Sequence, residues 1–347
     1  MTSQPKTKQH RQKSNKKRRP KFDHKLAAVC EGLIGSPVES MEFPGGRSRK
    51  SVRLLLKKGD PVYVSIRSKI VRADVETQVL KTVSRAGENV PKLLASNGQK
   101  LLIQQEIPGI RLSQAIDEGS DKEVLLHLDN ALQSLSSIQK AGSKHGLDSL
   151  SPLGNTHKWI IGLLDRPAVL GRYFKIAAPR PDLRALESLL AIRKPRFIKW
   201  DARPGNAITK NNGEVFWIDW EHSGTRNRLD DMVWLLADEF VPDLPEVDTL
   251  LLDRYLPSFC DDLSLDQARK YFFAFGVFHL TVRMGLILKY KKGGSWWRHE
   301  KCLKYDKAGV TLKCAVRICR RGARWAAENP ETLVLSQWFK DVEATLK

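Results

Sequence analysis

The stretch Lys199-Trp200-Asp201-Ala202-Arg203-Pro204-Gly205-Asn206-Ala207-Ile208-Thr209, closed by Val215-Phe216-Trp217-Ile218-Asp219-Trp220-Glu221, decides the fold. Arg203-Pro204-Gly205 forces a loop before Asn206. Ala207-Ile208-Thr209 then reads as a strand, Lys210-Asn211-Asn212-Gly213 as a turn, and Val215-Phe216-Trp217-Ile218 as the returning strand. A hairpin brings its ends together, so Asp201, Asn206 and Asp219 should converge. Phosphoryl transfer needs such a set: one carboxylate to orient or deprotonate a hydroxyl, and an amide with a second carboxylate to hold Mg²⁺. Taken singly these residues suit a solvated turn, which favours Asp and Asn anyway. Their order is what carries chemistry.

That order resembles the catalytic core of the aminoglycoside phosphotransferase and choline kinase group, relatives of the protein kinases. The group's pattern is H-G-D-x-x-x-x-N, a strand ending I-D-W/F-E, then D-L-A. This chain has Lys199-Trp200-Asp201 with Asn206, Ile218-Asp219-Trp220-Glu221, and Asp231-Met232-Val233. The resemblance implies that Asp201 is the catalytic base, that Asn206 and Asp219 are Mg²⁺ ligands, and that Asp231 braces the loop, with Lys199 and Glu221 in support. Lys199-Trp200 departs from His-Gly. The group's His braces the metal-binding segment by accepting a hydrogen bond, which Lys cannot do, and Trp for Gly adds bulk beside the site.

Upstream, Glu42-Phe43-Pro44-Gly45-Gly46-Arg47-Ser48-Arg49-Lys50-Ser51-Val52 reads as strand, glycine turn, strand. Gly45 and Gly46 let backbone approach a phosphate, and Ser48 belongs to the same turn. Val62-Tyr63-Val64-Ser65-Ile66-Arg67 alternates apolar and polar faces. It matches the V-A-I-K strand of the resemblance, with Arg67 at the phosphate-contacting Lys position. The 75–83 segment has helical spacing; Glu76 lies off its Val75/Val79/Val83 face and, by resemblance, pairs with Arg67. Residues 101–106 read as the last strand before a hinge at Pro108-Gly109, where the backbone of Gln105 and Ile107 would meet a nucleotide base. The fold expected is α+β: a two-lobed protein-kinase-like architecture with a small antiparallel-sheet N-lobe (23–106) and a mainly helical C-lobe (107–347), after a disordered basic tail (1–22).

At 347 residues, with 41% hydrophobic and 28% charged residues, the chain suits a soluble two-lobed protein. Five scattered cysteines without C-x-x-C spacing argue against a disulfide framework or zinc site and fit a reducing cytoplasm. The N-terminal basic stretch precedes no apolar segment. The longest apolar run, 272–288, contains His279 and Arg283 and reads as a buried helix too short and interrupted to span a bilayer. Helices are also expected over 122–140 and from Ser264, whose pairing with Gln267 suits an N-terminal cap.

The net charge of +20 is concentrated. Residues 1–22 carry nine Lys or Arg and no acid; residues 289–324 carry twelve against Glu300 and Asp306. The rest of the chain is nearly neutral. The second segment mixes charge with Trp296-Trp297, which suits an anionic lipid surface, a nucleic-acid surface or a cap over an anionic acceptor. The expected function is an ATP-dependent (or GTP-dependent) Mg²⁺ phosphotransferase acting on a hydroxyl of a sugar or cell-envelope glycolipid core, as in lipopolysaccharide biosynthesis. The enzyme would be cytoplasmic or peripheral at the membrane's inner face. The alternative is a catalytically degenerate kinase-like protein that binds a polyanion, either nucleic acid or an anionic membrane.

Overall fold

The computed structural model describes residues 23–44 and 51–346. The N-terminal tail and the Gly45, Gly46 and Ser48 turn lie outside the described residues. Helix α1 (His24–Ile34) precedes a five-stranded antiparallel sheet of β1 (Val38–Glu42), β2 (Ser51–Leu56), β3 (Val62–Ile66), β4 (Leu93–Ser96) and β5 (Leu101–Gln105), ordered β1-β2-β3-β5-β4. Val62 and Val64 of β3 are buried at alternate positions over Leu54 and Ile103. Each such side chain contributes about 1.5–3 kcal/mol of burial.

Helix α2 (Ile70–Arg85) crosses from this sheet toward the larger lobe, where Val79, Leu80 and Val83 join the main core. Its buried stripe is Ala73, Glu76, Val79, Leu80 and Val83. Glu76 therefore lies on the buried face, contrary to the expectation from the Val75 stripe. An apolar face wide enough to pack on two neighbours takes in both stripes.

The short β6 (Ile110–Arg111) leads into α3 (Leu112–Glu118) and the long α4 (Asp121–Lys144), then α5 (His157–Leu164), α6 (Arg166–Phe174) and α7 (Leu183–Leu190). Strand β7 (Arg196–Ile198) pairs with β10 (Gly224–Arg226), while β8 (Ala207–Thr209) and β9 (Val215–Trp217) form the expected hairpin beside β6. Helices α8 (Leu229–Leu236), α9 (Pro245–Phe259), α10 (Leu265–Lys291), α11 (His299–Lys304), α12 (Leu312–Ala327) and α13 (Val334–Thr345) complete the lobe.

Ser264 and Gln267 form a reciprocal capping box at the start of α10. Helix α10 is 27 residues, and its most apolar 18-residue stretch suffices in length and composition to cross a bilayer, which corrects the expectation that this run is too short. Its apolar surface is nevertheless taken up by protein, since 83% of that stretch is buried. Gly276 lets α12 approach: a Cβ there would meet the Trp325 ring at 2.7 Å. Cys30, Cys302, Cys314 and Cys319 are buried packing residues, with burial pushing the Cys319 thiol up to about 12.

Candidate active site

The hairpin converges as its turn chemistry dictates. Pro204–Asn206 form a short 3₁₀ turn, and Ala207 pairs with Trp217. One step beyond, the Ile218 amide donates to Asn206 O at 2.9 Å, which sets Asn206 beside Asp219. Asn206 Nδ2 donates to Asp201 Oδ2 at 2.8 Å and to Asp201 O at 3.0 Å. Trp200, Asp201 and Asp219 all hold positive φ (54°, 58° and 62°), a costly conformation for residues with a Cβ. The Gly of the H-G-D pattern would adopt it freely at the Trp200 position.

Asp231 holds this turn. Its carboxylate accepts from the Lys199 and Trp200 amides, both at 2.7 Å, and from Gln139 Nε2 at 2.9 Å. Burial pushes that carboxyl up to about 6 against those three hydrogen bonds. Lys199 braces the loop as a donor: its Nζ reaches Asp219 O at 2.8 Å and lies 5.1 Å from the Trp220 ring centroid. Burial pushes the Lys199 ammonium down, while Asp201, Asp219 and Asp231 pull it back up. The Trp200 ring packs into the helical lobe against Trp159 and Trp234, at 6.1 and 5.4 Å, so its bulk goes to the core.

On the sheet side, Arg67 forks onto Glu76, with Nη2 to Oε1 at 2.6 Å and Nε to Oε2. Its Nη1 lies 3.1 Å from Asp219 Oδ1 and 3.4 Å from Glu221 Oε1. Glu221 also faces Arg72 Nη1 at 3.4 Å. Burial works against the Arg67 charge, but Asp219 and Glu76 outweigh it and hold the guanidinium above its ordinary range. Burial likewise favours neutral Asp219, and Arg67 and Lys199 hold its carboxyl below the usual range.

Asp219 Oδ1 is buried against Arg67 Nη1 at 3.1 Å without a well-aligned hydrogen bond, while 37% of the side chain stays exposed. The exposed remainder of that carboxylate fits a Mg²⁺ ligand. Among the described residues no three His, Cys, Asp or Glu side chains cluster as a metal cage, and Mg²⁺ on a nucleotide takes most of its ligands from phosphate and water. Gln105 is exposed at the end of β5 with its amide spent on Lys92 O, and Ile107 is half-buried beyond it.

Several groups escaped the sequence reading. Gln104 Nε2 donates to Glu76 Oε1 at 3.1 Å, and Arg203 forks onto Asp306 at 2.7 and 2.8 Å. Nothing local to either residue signals a partner far along the chain. The basic segment is also narrower than its count suggests. Lys313 and Arg317 are spent on Asp117, Arg321 on Asp248, Arg324 on Asp243 and Asp248, and Arg320 on Glu343. The segment's exposed cations outside these pairs are Lys289, Lys292, Arg298, Lys301 and Lys304, while Lys313 and Arg320 stay exposed within theirs.

The phosphotransferase enzyme family model (APH) matches residues 40–268. Among solved structures the fold is similar to the GDP and kanamycin complex of APH(2")-IIia, at TM-score 0.55 and 15% identity, over 78% of this chain and 92% of that one. It is similar to the streptomycin-ATP-APH(2")-IIa ternary complex, at 0.52 and 13%, over 78% and 94%. A choline kinase from Cryptosporidium parvum Iowa II matches at 0.52 and 14%, over 91% and 99%. No curated protein matches the chain in sequence. A family match across well over half the length, on a two-lobed kinase-like fold with this hairpin at its centre, means that the chain belongs to the phosphotransferase enzyme family and acts on a hydroxyl group.

Proposed function

We propose that the chain transfers the terminal phosphoryl group of a Mg²⁺-bound purine nucleotide to a sugar hydroxyl, with a cell-envelope glycolipid core as the acceptor class. The convergence of Asp201, Asn206 and Asp219 at one hairpin end, with Arg67 3.1 Å from Asp219, carries the transfer chemistry. Asp201 would orient the acceptor hydroxyl and take its proton. Asn206 and Asp219 would hold the metal, and Arg67, fixed by Glu76, would meet the nucleotide phosphates. When bound, Mg²⁺ neutralises charge on the β- and γ-phosphates. Similar folds that hold GDP or ATP support a nucleotide donor.

The acceptor class rests on one placement. Arg203 of the catalytic loop is paired with Asp306, which brings the cationic and aromatic segment 291–307 up to the loop that carries Asp201. Cationic charge there disfavours a polycationic acceptor and favours an anionic one or one held on an anionic surface. The protein would then work as a cytoplasmic enzyme, peripheral at the inner membrane face.

A nucleotide-consumption screen with ATP and GTP against sugars, lipid-linked glycans, amino alcohols and aminoglycosides tests this reading. Asp201→Asn should cut turnover by roughly 10²–10⁴-fold without changing the melting temperature. A variant that keeps its turnover removes Asp201 from the chemistry. Binding of Mg-nucleotide with no consumption for any acceptor class would favour the degenerate, polyanion-binding alternative.

A further inference from the structure

Arg203 and Asp306 are 103 residues apart in sequence and form a parallel fork, Nη1 to Oδ1 at 2.7 Å and Nη2 to Oδ2 at 2.8 Å. Their side chains are 15% and 4% exposed. Asp306 holds φ at 44°, fixed by its amide to Leu303 O at 3.0 Å and by Lys307 N to Cys302 O at 2.9 Å. Gly205 makes room for the pair: a Cβ there would lie 2.1 Å from Asp306 Oδ1 and 2.5 Å from Arg203 Nη1. Arg111 seals the other side by donating to Gly205 O, 3.8 Å from Asp306 Oδ2. A strained residue in a buried fork, over a glycine with no space for a side chain, is a specified arrangement.

The fork leaves Arg203 one free edge, and its Nε lies 3.6 Å from Asp201 Oδ1, beyond hydrogen-bond reach. A guanidinium that close to two carboxylates pairs with whichever presents the better fork. Without Asp306 the nearest carboxylate is Asp201, two residues earlier. Asp201 already accepts from Asn206 through Oδ2. Forked by Arg203 as well, it would lose the oxygen that an incoming hydroxyl must meet.

We propose that Asp306 is a positioning residue for phosphoryl transfer: it takes the fork of Arg203 and thereby keeps Asp201 Oδ1 open to the acceptor. The segment between α11 and α12 thus completes the catalytic loop. The inference rests on the phosphotransferase reading of the site and adds a residue that the hairpin motif lacks.

The test compares the full-length chain with Asp306→Asn and with Asp306→Asn/Arg203→Gln. It reads melting temperature, affinity for Mg·ADP, and affinity for Mg·ADP with aluminium fluoride, which mimics the phosphoryl group in transfer. Asp306→Asn should lose about tenfold or more in the fluoride complex while Mg·ADP affinity stays within about twofold. The double variant should recover most of that loss, because no guanidinium remains to occupy Asp201. A purely structural staple would not divide the two affinities or be suppressed by a second substitution. The proposal fails if Asp306→Asn matches the wild type, if both affinities fall together, or if the double variant is weaker than the single. A wild-type chain that binds no Mg·ADP would instead overturn the nucleotide-dependent reading itself.

Discussion

Glu76 is the most demanding single residue in the site, because its carboxylate is wholly buried and relies on three donors. Arg67 supplies a fork, Gln104 Nε2 donates at 3.1 Å and the Trp220 amide at 3.3 Å. Arg67→Ala would strand that carboxylate together with the Oδ1 of Asp219. Breaking a buried pair from one side costs about 3–5 kcal/mol, so the denaturation midpoint should fall sharply and nucleotide binding with it. An Arg67→Ala protein within about 1 kcal/mol of wild-type stability would show that water replaces the guanidinium. Arg67 was legible because β3 alternates and ends in a charge. Gln104 was not, since four successive residues of β5 are buried and give no alternation to read. Trp200 shows the same limit: its left-handed backbone follows from the turn around Asp201, and only tertiary packing explains how a Trp is tolerated there.

Helix α10 shows what an element can and cannot disclose before it packs. Its capping box and apolar run marked start and type, but its near-complete burial depends on neighbours that arrive from α8, α12 and elsewhere in the helical lobe. The consequence is concentrated at His279, 3% exposed, whose ring lies 4.3 Å from that of Trp234 and whose Nε2 has no hydrogen-bond partner. Burial pushes this imidazole down to about 3, with Arg283 one turn on adding to the effect. The folded pKa is depressed below the unfolded value near 6.5. The contribution to stability is therefore complete above pH 6.5 and is lost as pH falls, because the unfolded chain takes the proton first. Between pH 6.5 and 5 this amounts to about 2 kcal/mol. Stability curves over that window should be shallower by close to one proton in His279→Phe than in wild type, whatever the offset between them. Parallel curves would mean that His279 protonates in place.

At the scale of the whole molecule, the two-lobed architecture was readable from the order of elements, whereas the charge map was only half readable. Counting Lys and Arg over 289–324 treats the segment as one cationic face. Packing divides it: α12 turns Arg317, Arg321 and Arg324 toward Asp117, Asp248 and Asp243, leaving residues 289–307 as the stretch whose exposed cations stand outside those pairs. Within it, Lys291 stands 4.8 Å from the Trp296 ring centroid and Lys307 5.6 Å from that of Trp297, so cation and indole are presented together. Each exposed Lys or Arg near an anionic bilayer contributes about 1 kcal/mol, within a screening length of about 10 Å at 0.1 M salt. The chain should therefore co-sediment with phosphatidylserine-containing vesicles at low salt, release as salt rises, and ignore neutral vesicles. Lys292→Glu/Arg298→Glu/Lys301→Glu/Lys304→Glu should abolish that binding while leaving the melting temperature near wild type, because all four side chains are exposed. Vesicle binding unchanged in this variant would move the contact to another basic stretch, such as residues 1–22. Tighter and more steeply salt-dependent binding to an RNA oligonucleotide than to vesicles would replace the membrane with nucleic acid as the partner.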